Sequence, residues 1–193
     1  MYYQKVSPDA PWMARTANEI LASYLKTSDI GLEFGSGRST IWFAKRIKHL
    51  TSVEHHEGWY QKVRQMLESN DLQNVDYHFI PKNREDDDAN DADYVKILER
   101  VATNSVDFVL VDGVYRDFCA LNSLRVIRPG GVLIIDDVNW FLPSNSYSPA
   151  SRSEQMGPKG RTWEEVHRTI SQWRKIWTSS GVADTAFFFK PDK

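Results

Sequence analysis

One cysteine, Cys119, stands in 193 residues, so no internal disulfide can close and a disulfide-stapled scaffold is excluded. No apolar run approaches the ~20 residues that span a bilayer, and the opening Met1-Tyr2-Tyr3-Gln4-Lys5 has no apolar signal core. Neither sign of charge is in surplus, with 24 basic against 26 acidic side chains. Without a global field, nothing draws the chain to nucleic acid or to an anionic membrane. No repeat or low-complexity tract is present. The expectation is a soluble, cytoplasmic protein whose partner is a small-molecule substrate, with no nucleic acid and no membrane; a homodimer is the one assembly left open. Its length suits one domain over residues 1–193, and Cys119, on an amphipathic stretch, reads as a small core residue rather than a nucleophile.

What is present is organised around residues 28–40. Ile30 to Phe34 reads as a buried strand that runs into Gly35-Ser36-Gly37 and then a helix carrying Arg38, Ser39 and Thr40. Two glycines allow a sharp turn with bare backbone against a ligand, and the N–H groups opening the next helix face it. Gly35-x-Gly37-x-x-Thr40 approaches the dinucleotide fingerprint, whose third position is Gly or Ala, and departs from it at Thr40. Glu33, just ahead of the glycines, would repel a pyrophosphate but suits a ligand with positive charge at that point.

Ahead of this strand, Ser7-Pro8-Asp9-Ala10-Pro11 looks like a helix entry, and Trp12, Met13, Ile20, Leu21, Tyr24 and Leu25 support a lead-in helix within residues 1–27. Trp12 reads as core, with the ligand-site edge as the alternative. A helix over Ser39 to Ile47 leads to a strand, His49 to Glu54, whose closing acid is placed to accept hydrogen bonds from both hydroxyls of a ribose. His55 and His56 follow over the same crevice, either as a base or as pocket lining.

A helix over Glu57 to Ser69 and a strand over Val75 to Ile80 come next, with Ile80 to Lys82 as candidate adenine contacts. The acidic run Arg84 to Asp93 reads as a solvated loop and helix start rather than a metal site; Tyr94, Ile97, Leu98 and Val101 mark the helix. Val106 to Asp112 is a second buried strand ending in acid and glycine, Asp112-Gly113. An Arg116 to Val126 helix, a turn at Arg128-Pro129-Gly130-Gly131 and a strand reaching Asp136-Asp137 complete units of βαβ form, which require a parallel sheet. Residues 138–161, with Trp140, Phe141, Tyr147 and Lys159, read as a substrate-selecting lid loop. Thr162-Trp163-Glu164-Glu165 reads as a capping box. Strands over Lys175 to Thr178 and Asp184 to Phe189 close the chain.

Glu33-x-Gly35-x-Gly37 resembles motif I of the class I methyltransferases that use S-adenosylmethionine (SAM). Val111-Asp112-Gly113 resembles motif IV, and Arg128-Pro129-Gly130-Gly131 before an apolar strand resembles the family's approach to its fifth strand. The resemblance runs from about residue 28 to 137. It implies a three-layer Rossmann-like α/β sandwich, a mostly parallel seven-stranded sheet with a C-terminal antiparallel hairpin. The cofactor would be held by Glu33, Phe34, Gly35, Ser36, Gly37, Ser39, Thr40, Glu54, His55, Asp112 and Gly113.

Neighbouring strand ends lie about 4.8 Å apart, so Asp112, Asp136 and Asp137 could converge on one hard divalent cation such as Mg2+. That trio resembles the metal set of cation-dependent O-methyltransferases, with Asp137 in place of an asparagine. The base lysine of that group is absent; Gly113, Val114, Tyr115 and Arg116 stand there instead. Asp112, His55 and Tyr115 are the candidate catalytic residues, and the aspartates read alternatively as helix caps. The function expected is methyl transfer to a small molecule, on a hydroxyl. An NAD(P)-dependent oxidoreductase and a non-catalytic SAM-binding module are the alternatives.

Overall fold

A computed structural model describes residues 9–192, the side chains of residues 86–88 excepted. Ser7 and Pro8 of the expected helix entry lie outside the described residues. Seven strands form one sheet in the order β3-β2-β1-β4-β5-β7-β6. They are β1 (Ile30–Phe34), β2 (His49–Glu54), β3 (Val75–Phe79), β4 (Val106–Val111), β5 (Ile127–Asp136), β6 (Arg174–Ser179) and β7 (Asp184–Phe189). β1 to β5 run parallel, while β7 pairs antiparallel with both β5 and β6. The expected Rossmann-like sandwich with a closing hairpin is therefore what the chain forms.

The central strand shows why. β4 is continuously apolar after Asp107, and its residues alternate between two cores: Val109 and Val111 face one, Phe108 and Leu110 the other. A strand buried on both faces needs a helical layer on each. One layer is α1 (Arg15–Tyr24), whose Leu21 packs with Phe43 of α2 (Arg38–Ala44) against the sheet. α3 (Glu57–Ser69) packs beside α2 through Val63 and Leu67. The other is α4 (Asp93–Lys96), α5 (Arg116–Val126) and α6 (Gly160–Ile170), which contribute Tyr94, Cys119, Trp163, Val166 and Ile170. Cys119 is buried, as expected. Among the described residues no helix is long and apolar enough to cross a membrane.

Several boundaries differ from the expectation. The lead-in helix starts at Arg15, because buried Asn18 reaches back to the carbonyl of Pro11 at 3.0 Å and holds residues 11–14 as a turn. Trp12 is consequently 57% exposed rather than core. The turn at residues 128–131 is sewn into β5: Gly130 N–H donates to Lys190 O, and Arg128 bonds to Asp107, whose other oxygen accepts the Ile30 N–H. Thr162 is no cap, since α6 already begins at Gly160 with no side-chain cap. The helix expected at Tyr94 to Val101 breaks after Lys96 into a 3-10 turn over Ile97–Arg100.

The stretch 138–161, expected as a lid, packs between the hairpin and the Gly113–Arg116 loop. It is fastened to the hairpin, where Asn139 Oδ1 accepts the Asp184 N–H and Ser148 Oγ donates to Asp184 Oδ1. It is also fastened to itself, through Arg152 N–H to Asn139 O and Ser144 N–H to Arg152 O. Phe141 and Lys159 are drawn to the far side of the Gly113–Arg116 loop, where they flank a cavity of about 320 Å3 with Lys82. None of residues 138–161 lines the two cavities described next.

Candidate functional site

The carboxyl ends of β1, β2 and β4 are tied together by backbone. Gly35 N–H donates to Val53 O at 2.9 Å and Asp112 N–H to Phe34 O at 2.8 Å. Gly35 has φ +90, and a Cβ there would lie 2.7 Å from Asp112 backbone; a Cβ on Gly113 would lie 2.1 Å from the Tyr94 hydroxyl. Both glycines are thus required by the crossing of two strand ends, whatever ligand lies above. Gly37, with φ 175, is extended backbone open to any residue. Phe34, expected at the cofactor, points its ring into the core against Tyr94.

Glu33 is fully buried beneath the turn. Its Oε2 accepts from Thr40 Oγ1 at 2.6 Å and Ser52 Oγ at 2.7 Å, and Thr40 Oγ1 in turn accepts the Gly37 N–H at 2.9 Å. Thr40 therefore holds the acid to the glycine turn, which accounts for its departure from the dinucleotide fingerprint. Among the described residues Glu33 Oε1 has no hydrogen-bond partner. Burial pushes this carboxyl up to about 7, against the hydroxyls of Ser39, Thr40 and Ser52, which draw it down. A buried carboxylate oxygen lacking a donor fits the ammonium of a SAM amino acid moiety. Ser39, on the same helix turn, is also buried.

Glu54 closes β2 on the other side of the turn. Its Oε2 accepts Ser36 N–H and Oγ at 3.0 and 2.9 Å, and its Oε1 accepts the N–H groups of His55 and His56 at 2.9 and 2.8 Å. Against the opposing cost of burial, these bonds hold its pKa below the ordinary range. The Ser36 hydroxyl also lies 2.6 Å from Tyr77 Oη. It can turn there and release a lone pair of Glu54 to a ribose hydroxyl. His55 Nδ1 lies 3.1 Å from Glu54 Oε1. His56 instead caps α3, accepting the Trp59 N–H.

Between Glu54 and Asp112 lies a cavity of about 510 Å3, lined by Gly35, Ser36, Glu54, His55, Trp59 and Asp112 among others. It is the size of a cofactor site. Val114 and His55 face it, whereas Ile80 to Lys82, the expected adenine contacts, do not. The Tyr115 hydroxyl donates to Arg84 O and accepts Arg84 N–H, so it anchors the 84 loop and both its hydrogen-bonding roles are taken.

A second cavity, of about 520 Å3, opens next to the first. It lies between residues 12–16 and the hairpin, with Asp136 and Asp137 on its inner wall and Val182 at its mouth. Two contacts join the cavities. Trp12 of the second stacks on Trp59 of the first, ring centroids 6.0 Å apart, with Arg38 over Trp12. Asp137 of the second meets Arg116 of the first at 3.2 Å. Neither Trp59 nor Arg116 stood out in the sequence as a site residue.

Asp112, Asp136 and Asp137 do converge, each offering an oxygen within 4.8 Å of the others. Burial and the neighbouring Asp112 push Asp136 well up, and it accepts a bond from Thr185 Oγ1. Burial pushes Asp112 up to about 7, with Arg116 drawing it down and Asp137 adding to the rise. A third of the Asp112 side chain stays open to the cleft, and water there moderates the push. Three hard oxygen donors suit Mg2+, but Arg116 already lies on two of the three carboxylates at 2.9 and 3.2 Å. As the chain stands, the set does not fit a divalent ion without displacing that guanidinium.

The fold recurs in solved structures. A methyltransferase-like protein from Silicibacter pomeroyi is 22% identical, with TM-score 0.64, 94% of this chain and 88% of that one covered. A Streptococcus mutans protein crystallised with SAH is 12% identical, with TM-score 0.62, 91% and 96% covered. A SAM-dependent methyltransferase from Aquifex aeolicus is 14% identical, with TM-score 0.56, 92% and 89% covered. No curated protein sequence matches. A family model described as a methyltransferase domain matches residues 32–138, which run from the strand bearing Glu33 to just past Asp137. With the glycine turn, Glu54 and Asp112 inside that span, and the sheet order that of the resembling fold, the chain belongs to the class I SAM-dependent methyltransferases.

Proposed function

We propose that the protein O-methylates a small hydroxylated molecule seated in the cavity between Trp12 and the hairpin. One observation carries the reading: Asp137, which lines this cavity, lies 3.2 Å from Arg116, which lines the cofactor cavity. Bound SAM supplies an electrophilic methyl group on its sulfonium. Glu33 and the Gly35–Gly37 turn would hold its amino acid part, and Glu54 its ribose.

On the acceptor side, Trp12, Met13 and Val182 offer apolar faces to a ring or chain. An acceptor hydroxyl against Asp137 can pass its proton to that carboxylate as the bond to the methyl forms. Alignment supplies the rest of the rate. Asp112 lines the cofactor cavity. His55 sits at the cofactor rim and lines none of the second cavity, which suits it to packing rather than to proton transfer.

The same fold is carried by an rRNA methylase from Streptococcus thermophilus and by the [4+2]-cyclase SpnF. Fold therefore does not choose the acceptor. Balanced charge favours a small molecule over RNA. The test is transfer of labelled methyl from SAM to a panel of phenols and sugars, with ribosomal RNA in parallel. Label in a small hydroxylated compound, reduced at least about a hundredfold in kcat by Asp137→Asn with SAM affinity unchanged, is expected. Label in RNA alone would overturn the proposal.

A further inference from the structure

Arg116 is the first residue of α5, where a cation opposes the positive end of the helix dipole. Its side chain is only 16% exposed. Every N–H of the guanidinium has an acceptor: Nε the Gly113 carbonyl at 3.0 Å, Nη1 the Asp136 carbonyl at 2.6 Å and Asp137 Oδ2 at 3.2 Å, Nη2 the Asp112 carbonyl at 3.0 Å and Asp112 Oδ1 at 2.9 Å. Five bonds from one rigid fork to the ends of two neighbouring strands use the whole donor capacity of the group. A side chain in a place its helix disfavours, with no donor left over, is held by its partners.

We infer that Arg116 is a built-in cation, standing in the carboxylate cluster where a divalent metal would otherwise be drawn, so that this protein binds no such metal there. Three carboxylates whose oxygens lie within 4.8 Å of one another repel, and an internal positive charge lets them stay together. A metal ion would need the same oxygens at 2.0–2.6 Å that Arg116 now bonds, and would add a double charge beside the guanidinium. Arg116 also ties the ends of β4 and β5 together, through Asp112 on one side and Asp136 and Asp137 on the other. It is thereby a positioning residue for Asp137, a role that rests on the acceptor reading above; exclusion of the metal does not.

The experiment titrates Mn2+ into the full chain, following free ion by its paramagnetic resonance signal, with calorimetry of SAM binding alongside. Wild type should bind no Mn2+ at this cluster, and neither Mg2+ nor chelator should move its melting temperature. Arg116→Ala should bind Mn2+ where wild type does not and gain melting temperature with it, and Asp112→Asn in that background should remove the gain. Arg116→Lys, which keeps the charge without the fork, should bind none there, as wild type does. A lost structural strut alone would not create a metal site. Wild-type Mn2+ binding abolished by Asp112→Asn overturns the inference, and that test holds even where Arg116→Ala fails to fold. A metal gain in Arg116→Ala together with label found only in RNA would leave the built-in cation standing and remove the small-molecule reading.

Discussion

Replacing Glu33 by glutamine should make the cofactor-free protein more stable at alkaline pH while weakening its grip on SAM. Burial raises the Glu33 carboxyl from 4.5 to about 7, and at ~1.36 kcal/mol per tenfold its ionised form costs the fold about 3 kcal/mol above pH 8. The sign follows from linkage: below 4.5 the group is protonated in both states and costs nothing. The cost grows as pH rises from 4.5 and is complete once pH has passed 7. Glutamine does not titrate, and its oxygen can keep the bonds from Thr40 and Ser52. Its amide N–H groups then take the place of the partnerless Oε1, at about 1–3 kcal/mol. Urea unfolding of both proteins at pH 5 and pH 8.5 should show the stability of Glu33→Gln relative to wild type rising by roughly 2–3 kcal/mol between the two. Calorimetry should show SAM bound at least tenfold more weakly. The difference cancels the other titrating groups common to both proteins. A difference flat with pH, or one that falls, would refute the buried, pKa-raised carboxylate.

Gly113→Ala would place a Cβ 2.1 Å from the Tyr94 hydroxyl. It should cost about 1–3 kcal/mol of stability by overpacking, and Tyr94→Phe in the same chain should restore part of that in chemical denaturation, giving non-additive changes. Trp12→Ala removes an exposed ring stacked on Trp59. An acceptor ring packed on Trp12 would lose a comparable ~0.5–1.5 kcal/mol, so acceptor KM should rise up to about tenfold in steady-state assays.

Much of this was legible because strands buried on both faces spell themselves out. Val106–Val111 and the bounds of β1, β2, α3, α5 and β7 follow from apolar runs and from the glycines and acids that end them. The turn at residues 35–40 and the acids Glu33, Glu54 and Asp112 sit where their spacing places them. What was not legible depends on contacts between residues distant in sequence. Asn18 reaching Pro11 delays the lead-in helix and turns Trp12 outward; a periodic pattern carries no sign of that bond. The anchoring of residues 138–161 was equally hidden, because Asn139 and Ser148 find Asp184, 45 and 36 positions away. Arg116 was visible only as the wrong residue where a lysine was expected. Its five acceptors are mostly backbone carbonyls, which have no letter in the sequence.

The central claim is that the cavity between Glu54 and Asp112 holds SAM. Calorimetric titration of the purified chain with SAM and with SAH tests it directly, beside Glu54→Ala. The account predicts micromolar binding of both ligands, weakened at least about a hundredfold in the variant as a charge-assisted pair of hydrogen bonds to the ribose is lost. No heat and no thermal shift with either ligand, or equal binding by Glu54→Ala, would contradict it.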